Sequence, residues 1–94
     1  MKILWSPAAI ADLEAVRASI AGDNSTAANK VAQTIRQTVE RLAVFPASGR
    51  AGRVPDTYEL VVPGLPYIVV YAVREDEVRI ASVLHGMRRW PEAF

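Results

Sequence analysis

The hydrophobic period of this chain switches from 3.6 to 2 across one loop, and that switch decides most of what it can fold into. Before Pro46, apolar residues recur at intervals of three and four. Ile10, Leu13, Val16 and Ile20 form one stripe, preceded by Ser6 as an N-cap and Pro7 at the first helical position, where its missing N–H costs nothing. Gly22 is placed to end this helix in a positive-φ conformation. Asn24 or Ser25 can cap a second, longer helix with Ala28, Val31, Ala32, Ile35, Val39 and Leu42 on its inward face. Arg36 and Glu40 are spaced for an i, i+4 pair. A linker of about three residues makes the two helices an antiparallel hairpin. The second helix stops near Phe45-Pro46, since proline disfavours helical geometry in the residue before it.

Turn-forming residues then run from Pro46 to Asp56 and predict a loop. Beyond it, Tyr58, Leu60 and Val62 alternate with Thr57, Glu59 and Val61, as in a strand with one buried face. Pro63-Gly64-Leu65-Pro66 reads as a turn. Tyr67–Val73 is apolar on both faces and suits a central strand. A tight turn at Glu75-Asp76 leads into a last strand, Val78–Leu84, while Lys2–Trp5 is a short opening strand. The order is β-α-α-β-β-β, an α+β class in which hairpin-connected strands form an antiparallel sheet with the helical hairpin on one face. Pattern alone leaves the position of the opening strand undecided. With 94 residues, one domain spanning 1–94 is expected.

Hydrophobic residues make up 51% of the chain and charged residues 22%, as in a folded protein. Cysteine is absent, so neither disulfides nor thiolate ligands form, which suits the reducing cytosol. The apolar start is too short for a secretory signal, and no segment approaches the roughly 20 apolar residues of a membrane span. A soluble, cytoplasmic protein is expected. The net charge of +1, from 11 basic and 10 acidic residues, does not match a general nucleic-acid binder. Its distribution says more. Arg50 and Arg53 lie in a stretch without acids, and Arg88 and Arg89 lie beside the sole histidine, His85.

With one histidine, no cysteine and scattered carboxylates, neither a metal site nor a cofactor is expected. Gly49–Arg53 lacks the Lys-Ser/Thr of a phosphate-binding P-loop, and nothing supports a triad joining His85 to Ser48 or Ser82. The arginines of Gly49–Arg53 offer planar forks suited to phosphate or carboxylate, or else pair with Asp56 or Glu59. His85 could exchange a proton near neutral pH, or serve as a hydrogen-bonded structural residue. Arg88, Arg89 and Trp90 suit a phosphate-gripping edge with a stacking platform, or a tryptophan packed on the sheet between solvated arginines. One arginine segment precedes the sheet and the other leaves its last strand, so both could meet at one edge.

Several motifs add to this reading. They are Trp5-Ser6-Pro7 with Asp12-Leu13, then Phe45-Pro46-x-x-Gly49-Arg50-x-Gly52-Arg53-Val54-Pro55, and Glu59-Leu60-Val61-Val62. Pro66-Tyr67-x-Val69-Val70-Tyr71 and Val83-Leu84-His85-Gly86-x-Arg88-x-Trp90-Pro91 complete the set. In this order and spacing the whole chain resembles toxins of the RelE/ParE superfamily, the growth-arresting halves of bacterial type II toxin–antitoxin pairs. The resemblance implies a curved antiparallel sheet carrying a helical hairpin. It also implies a cognate antitoxin encoded nearby, joined to the toxin in a hetero-oligomer, with Arg50, Arg53, Glu59, Arg88, Arg89 and Trp90 contacting target or antitoxin. An acidic antitoxin helix is expected to cover exposed apolar and basic surface.

The superfamily has two major branches, one poisoning DNA gyrase (ParE-like) and one cutting messenger RNA in the ribosomal A site (RelE-like). The nuclease branch would use His85, Arg88 and Arg53 for proton transfer and phosphate stabilisation. Its members tend to be strongly basic. Here the net charge is +1, and Glu59, Val61 and Pro63 stand where basic residues commonly line the sheet. A late catalytic tyrosine of some members has only Phe94 or Trp90 in its place, and neither transfers a proton. The gyrase branch is therefore favoured. The ribosome-dependent nuclease is the alternative, and an inactive toxin-like binding module is the third possibility.

Overall fold

The computed structural model describes residues 1–87 and Trp90. Strand β1 (Lys2–Trp5) leads into helices α1 (Pro7–Ala21) and α2 (Ser25–Arg41), followed by strands β2 (Arg50–Ala51), β3 (Tyr58–Val61), β4 (Tyr67–Arg74) and β5 (Glu77–His85). The strands form one sheet in the order β1-β5-β4-β3-β2. Strands β2 to β5 are antiparallel neighbours, and β1, whose place the pattern left open, joins β5 as a parallel edge. The α+β class holds and the sheet is mixed. The expected 46–56 loop contains β2, because Arg50 and Ala51 pair with Glu59 and Tyr58.

Both helix starts follow the sequence. Ser6 Oγ accepts the Ala9 N–H at 3.0 Å and Asn24 Oδ1 accepts the Ala27 N–H at 3.0 Å, each satisfying a donor the helix leaves open. Gly22 departs from expectation. Its φ of −57° is right-handed, since the chain turns through Asp23 and Asn24, whose N–H groups both reach the Ile20 carbonyl. The positive-φ positions are instead Asp56, Gly64 and Glu75. Glu75 sits in the two-residue connection between β4 and β5, where Arg74 pairs with Glu77.

The inward face of α2 is as read. Ala28, Ala32, Ile35, Val39 and Leu42 are buried, and Val31 packs at the margin. From α1 the core receives Ala9 and Leu13, with Val16 beside it. Ile10, expected on the buried stripe, is 56% exposed, because Ala9 holds the position against the sheet. The helix-surface ion pair also differs. Glu14 and Arg17 pair on α1, whereas Arg36 and Glu40 are not within ion-pair distance and flank a shallow hollow with Ile10. The sheet meets the helices with Val69, Tyr71, Val78, Ile80 and Val83. Such fully buried side chains contribute about 1.5–3 kcal/mol each.

Helix α1 also closes one edge of the sheet. Strand β1 covers β5 only as far as Ile80, and beyond that point α1 supplies polar side chains in place of a strand. The Ser6 hydroxyl donates to the Ala81 carbonyl at 3.0 Å. The Asp12 carboxylate accepts the Val83 N–H at 3.0 Å and the Ser82 hydroxyl at 2.5 Å. Ala81 is the extra residue of a bulge, since Val70 faces Ser82 and Tyr71 faces Ile80. Within the helices and sheet described, no helix is long and apolar enough to cross a membrane.

Candidate functional site

The loop before β3 is pinned from inside the sheet. Tyr71 is fully buried, yet its hydroxyl donates to the Pro46 carbonyl at 2.8 Å and accepts the Gly49 N–H at 2.9 Å. Burial pushes the Tyr71 phenol above its ordinary value; the Gly49 N–H works against this, and the Tyr58 hydroxyl, if charged, adds to it. The ring of Tyr58 stacks on Tyr71 at 5.4 Å. Gly49 is required by this packing. A Cβ there would lie 2.7 Å from the Tyr71 hydroxyl and 2.9 Å from the Glu59 carbonyl oxygen. Gly52 is crowded in the same way by Thr57, whose carbonyl accepts the Gly52 N–H at 2.8 Å. The arginine segment is therefore held on a fixed frame.

Glu59 organises the charges. The alternation along β3 suggested one buried face with Tyr58, Leu60 and Val62, but Tyr58 is 36% exposed. Glu59, from the other face, is buried at 3% exposure because a neighbouring backbone and two guanidinium groups satisfy its carboxylate. Glu59 Oε2 accepts the Arg53 N–H at 2.7 Å and lies 3.9 Å from Arg53 Nε. Glu59 Oε1 accepts from Arg50 Nη2 at 3.4 Å. Both arginine side chains nevertheless stay more than half exposed, at 63% for Arg50 and 55% for Arg53. Of the two acids weighed as partners, Glu59 is the one these arginines use, and Asp56 is not paired with them.

The second arginine segment does meet the first. Arg53 Cζ lies 3.8 Å from the centroid of the Trp90 ring, within cation–π range. The Trp90 indole N–H donates to the His85 carbonyl at 3.2 Å. Sequential contacts thus join Glu59, Arg53, Trp90 and His85 across strands that are not neighbours in the sheet. His85 itself is half-buried at the end of β5, with its ring edge-on to Tyr67 at 5.7 Å. Its Nδ1 accepts the Met87 N–H at 3.1 Å, which places the proton of the neutral ring on Nε2. Arg88 and Arg89 lie outside the described residues. Among the described residues, no three of histidine, aspartate and glutamate converge as metal ligands would.

Two structurally important residues were not singled out as site candidates. Asp12 anchors α1 to β5, and its signals in the sequence were an acid within an apolar helix and the Asp12-Leu13 pair of the family motifs. Tyr71 anchors the arginine loop, and its signals were a hydroxyl within a strand that is apolar on both faces and its place in the motif Pro66-Tyr67-x-Val69-Val70-Tyr71.

The arrangement is that of a small sheet presenting anchored arginines, and solved structures share its fold. A chain of the chromosomal ParDE TA system from P. aeruginosa superposes with a TM-score of 0.80 at 26% identity, covering 88% of this chain and 92% of that one. A chain of the YoeB dimer from Staphylococcus aureus shares the fold, with a TM-score of 0.59 at 17% identity over 87% of this chain and 92% of that one. Similar sequences include Y4kP of Sinorhizobium fredii, 40% identical over 93 residues, or 99% of this chain and 96% of the relative. Toxin RelE2 of Caulobacter vibrioides is 31% identical over 87 residues, or 93% and 97% of the two chains. The model of the ParE toxin of type II toxin–antitoxin system, parDE, matches residues 3–90, and the chain belongs to that family within the RelE/ParE superfamily of toxins.

Proposed function

We propose that this toxin arrests growth in the cytoplasm by engaging DNA gyrase through its anchored arginine surface, and that a cognate antitoxin neutralises it. The observation that carries this reading is the placement of Arg53, with its backbone N–H and Nε turned to the buried Glu59 carboxylate and its guanidinium stacked on Trp90. A guanidinium held on two sides is suited to recognising a fixed surface, since little side-chain entropy remains to be lost on contact. Membership of the ParE toxin family supports the same target. Arg50 presents a second, more exposed cation beside it. Arg88 and Arg89 are proposed to extend this surface.

A second reading, a ribosome-dependent messenger RNA endonuclease, is favoured by the relative named RelE2. It would place proton transfer on His85 through Nε2, with Arg53 and Arg88 stabilising the phosphate. Expression of the chain without antitoxin separates the two readings. Gyrase poisoning predicts induction of the DNA-damage response with intact messages, unaffected by His85→Ala. Cleavage of translated messages within codons, abolished by His85→Ala, would replace it with the nuclease reading. Normal growth with neither response would leave a toxin-like binding module.

A further inference from the structure

A shallow hollow of about 300 Å³ opens where β1, α1 and α2 meet, lined by Trp5, Ile10, Leu13, Arg36 and Glu40. Leu13 is buried at its floor, but Ile10 is 56% exposed and leaves much of its apolar surface in water. The rest of α1 shares this character. Only Ala9 and Leu13 of its fifteen residues are buried, and Ala11, Ala15 and Ala18 face solvent. Side chains this short let a second helix approach closely. The two charges of the hollow are also unanswered. Arg36 and Glu40 stand one turn apart on α2, yet among the described residues neither forms an ion pair. Glu14, the acid on α1 that faces Arg36, is already paired with Arg17.

This pair of charges selects the occupant. A segment of one sign would satisfy either Arg36 or Glu40 and repel the other. A second copy of the chain satisfies both. When two α2 helices face each other antiparallel about a two-fold axis, residue order reverses across the contact. Arg36 then meets Glu40 of the other copy, and Glu40 meets its Arg36, about 6 Å apart along the helix. Ile10 and Trp5 of both copies lie beside these pairs and cover one another. We infer that this hollow is a self-complementary surface through which the toxin, free of antitoxin, pairs with a second copy of itself. The arginine surface stays open in such a pair, because Trp5 and Arg50 belong to β1 and β2, the two opposite edges of the sheet. The dimer therefore carries one arginine surface at each outer end. The inference is independent of whether the target is gyrase or messenger RNA.

The test is sedimentation of the purified chain, without antitoxin, across roughly 1–100 μM, a range suited to a small interface. The wild type should pass from monomer to dimer as concentration rises. Ile10→Asp should weaken the dimer by about tenfold or more. Arg36→Glu should weaken it comparably, since it sets like charges opposite each other twice. The double exchange Arg36→Glu with Glu40→Arg should restore dimerisation, because the two-fold axis again pairs opposite signs. Circular dichroism should show every variant folded, as the altered side chains are exposed. Rescue by the double exchange also separates loss of contact from loss of folding. A wild type that stays monomeric throughout would overturn the inference. So would a dimer that Ile10→Asp and Arg36→Glu leave unchanged, or one that the double exchange fails to restore. Loss of antitoxin binding by Ile10→Asp in a chain that never dimerises would assign the hollow to the antitoxin instead.

Discussion

The guanidinium carbon of Arg53 lies 3.8 Å from the centre of the Trp90 ring, joining two segments separated by most of the sheet. This contact ties the loop after β2 to the chain beyond β5. Arg53→Ala should alter the emission of Trp90 while lowering stability by no more than about 1 kcal/mol, the scale of an exposed cation–π contact. Arg53→Lys should keep part of the contact but lose the planar fork, so toxicity should fall with little change in folding. Fluorescence and denaturant titration, read beside growth arrest, separate the two effects. Toxicity that survives Arg53→Ala would remove Arg53 from the target surface.

Glu59 should prove more important to folding than a surface acid. Glu59→Gln keeps an acceptor for the Arg53 N–H but removes the charge that faces Arg50 and Arg53, and should cost about 1–2 kcal/mol. Glu59→Ala should cost more, because the Arg53 N–H loses its partner. A change within experimental error in urea unfolding for both variants would contradict the buried network.

Tyr71 gives a pH-dependent signature. Its phenol is raised in the folded state mainly by burial, so the native protein holds the proton more tightly than the unfolded chain. The associated stability is fully present below the unfolded value of about 10 and is lost as pH rises from there through the raised folded value. Tyr71→Phe should lack this alkaline component. At neutral pH it should be less stable by about 1–2 kcal/mol, since the Pro46 carbonyl and Gly49 N–H lose their partner. Faster hydrogen exchange at the Gly49 amide would locate the loss in the loop.

Glycine substitutions should divide according to their surroundings. Gly49→Ala places a Cβ against the Tyr71 hydroxyl and the Glu59 backbone and should cost about 1–3 kcal/mol. Gly22 has a right-handed φ and nothing within 4 Å of an added Cβ. Gly22→Ala should therefore stabilise the protein by about 0.4–1 kcal/mol through the unfolded state. Thermal unfolding of the two variants should shift in opposite directions.

These contrasts show where sequence reading succeeds. The helical hairpin was legible because caps at Ser6 and Asn24 and the stripe from Ala28 to Leu42 are local signals. The central strand was legible because Tyr67–Val73 lacks a polar face. The opening strand was legible as a strand but not in its pairing, since its parallel partner β5 is the last strand, separated from it by both helices and three strands. Ile10 misled because the alanine beside it, which carries little hydrophobic signal, fits the close approach of α1 to the sheet. In the candidate site, the meeting of the two arginine segments could be anticipated from their places at the ends of the sheet. Burial of Glu59 and the anchoring by Tyr71 could not, because both depend on partners brought close only by the fold.

The most direct test of the central claim is a gyrase supercoiling assay with purified chain, free of antitoxin. The account predicts that the wild type inhibits supercoiling, that Arg53→Ala inhibits much less, and that His85→Ala inhibits as well as the wild type. Unimpaired supercoiling at excess wild-type protein would contradict it.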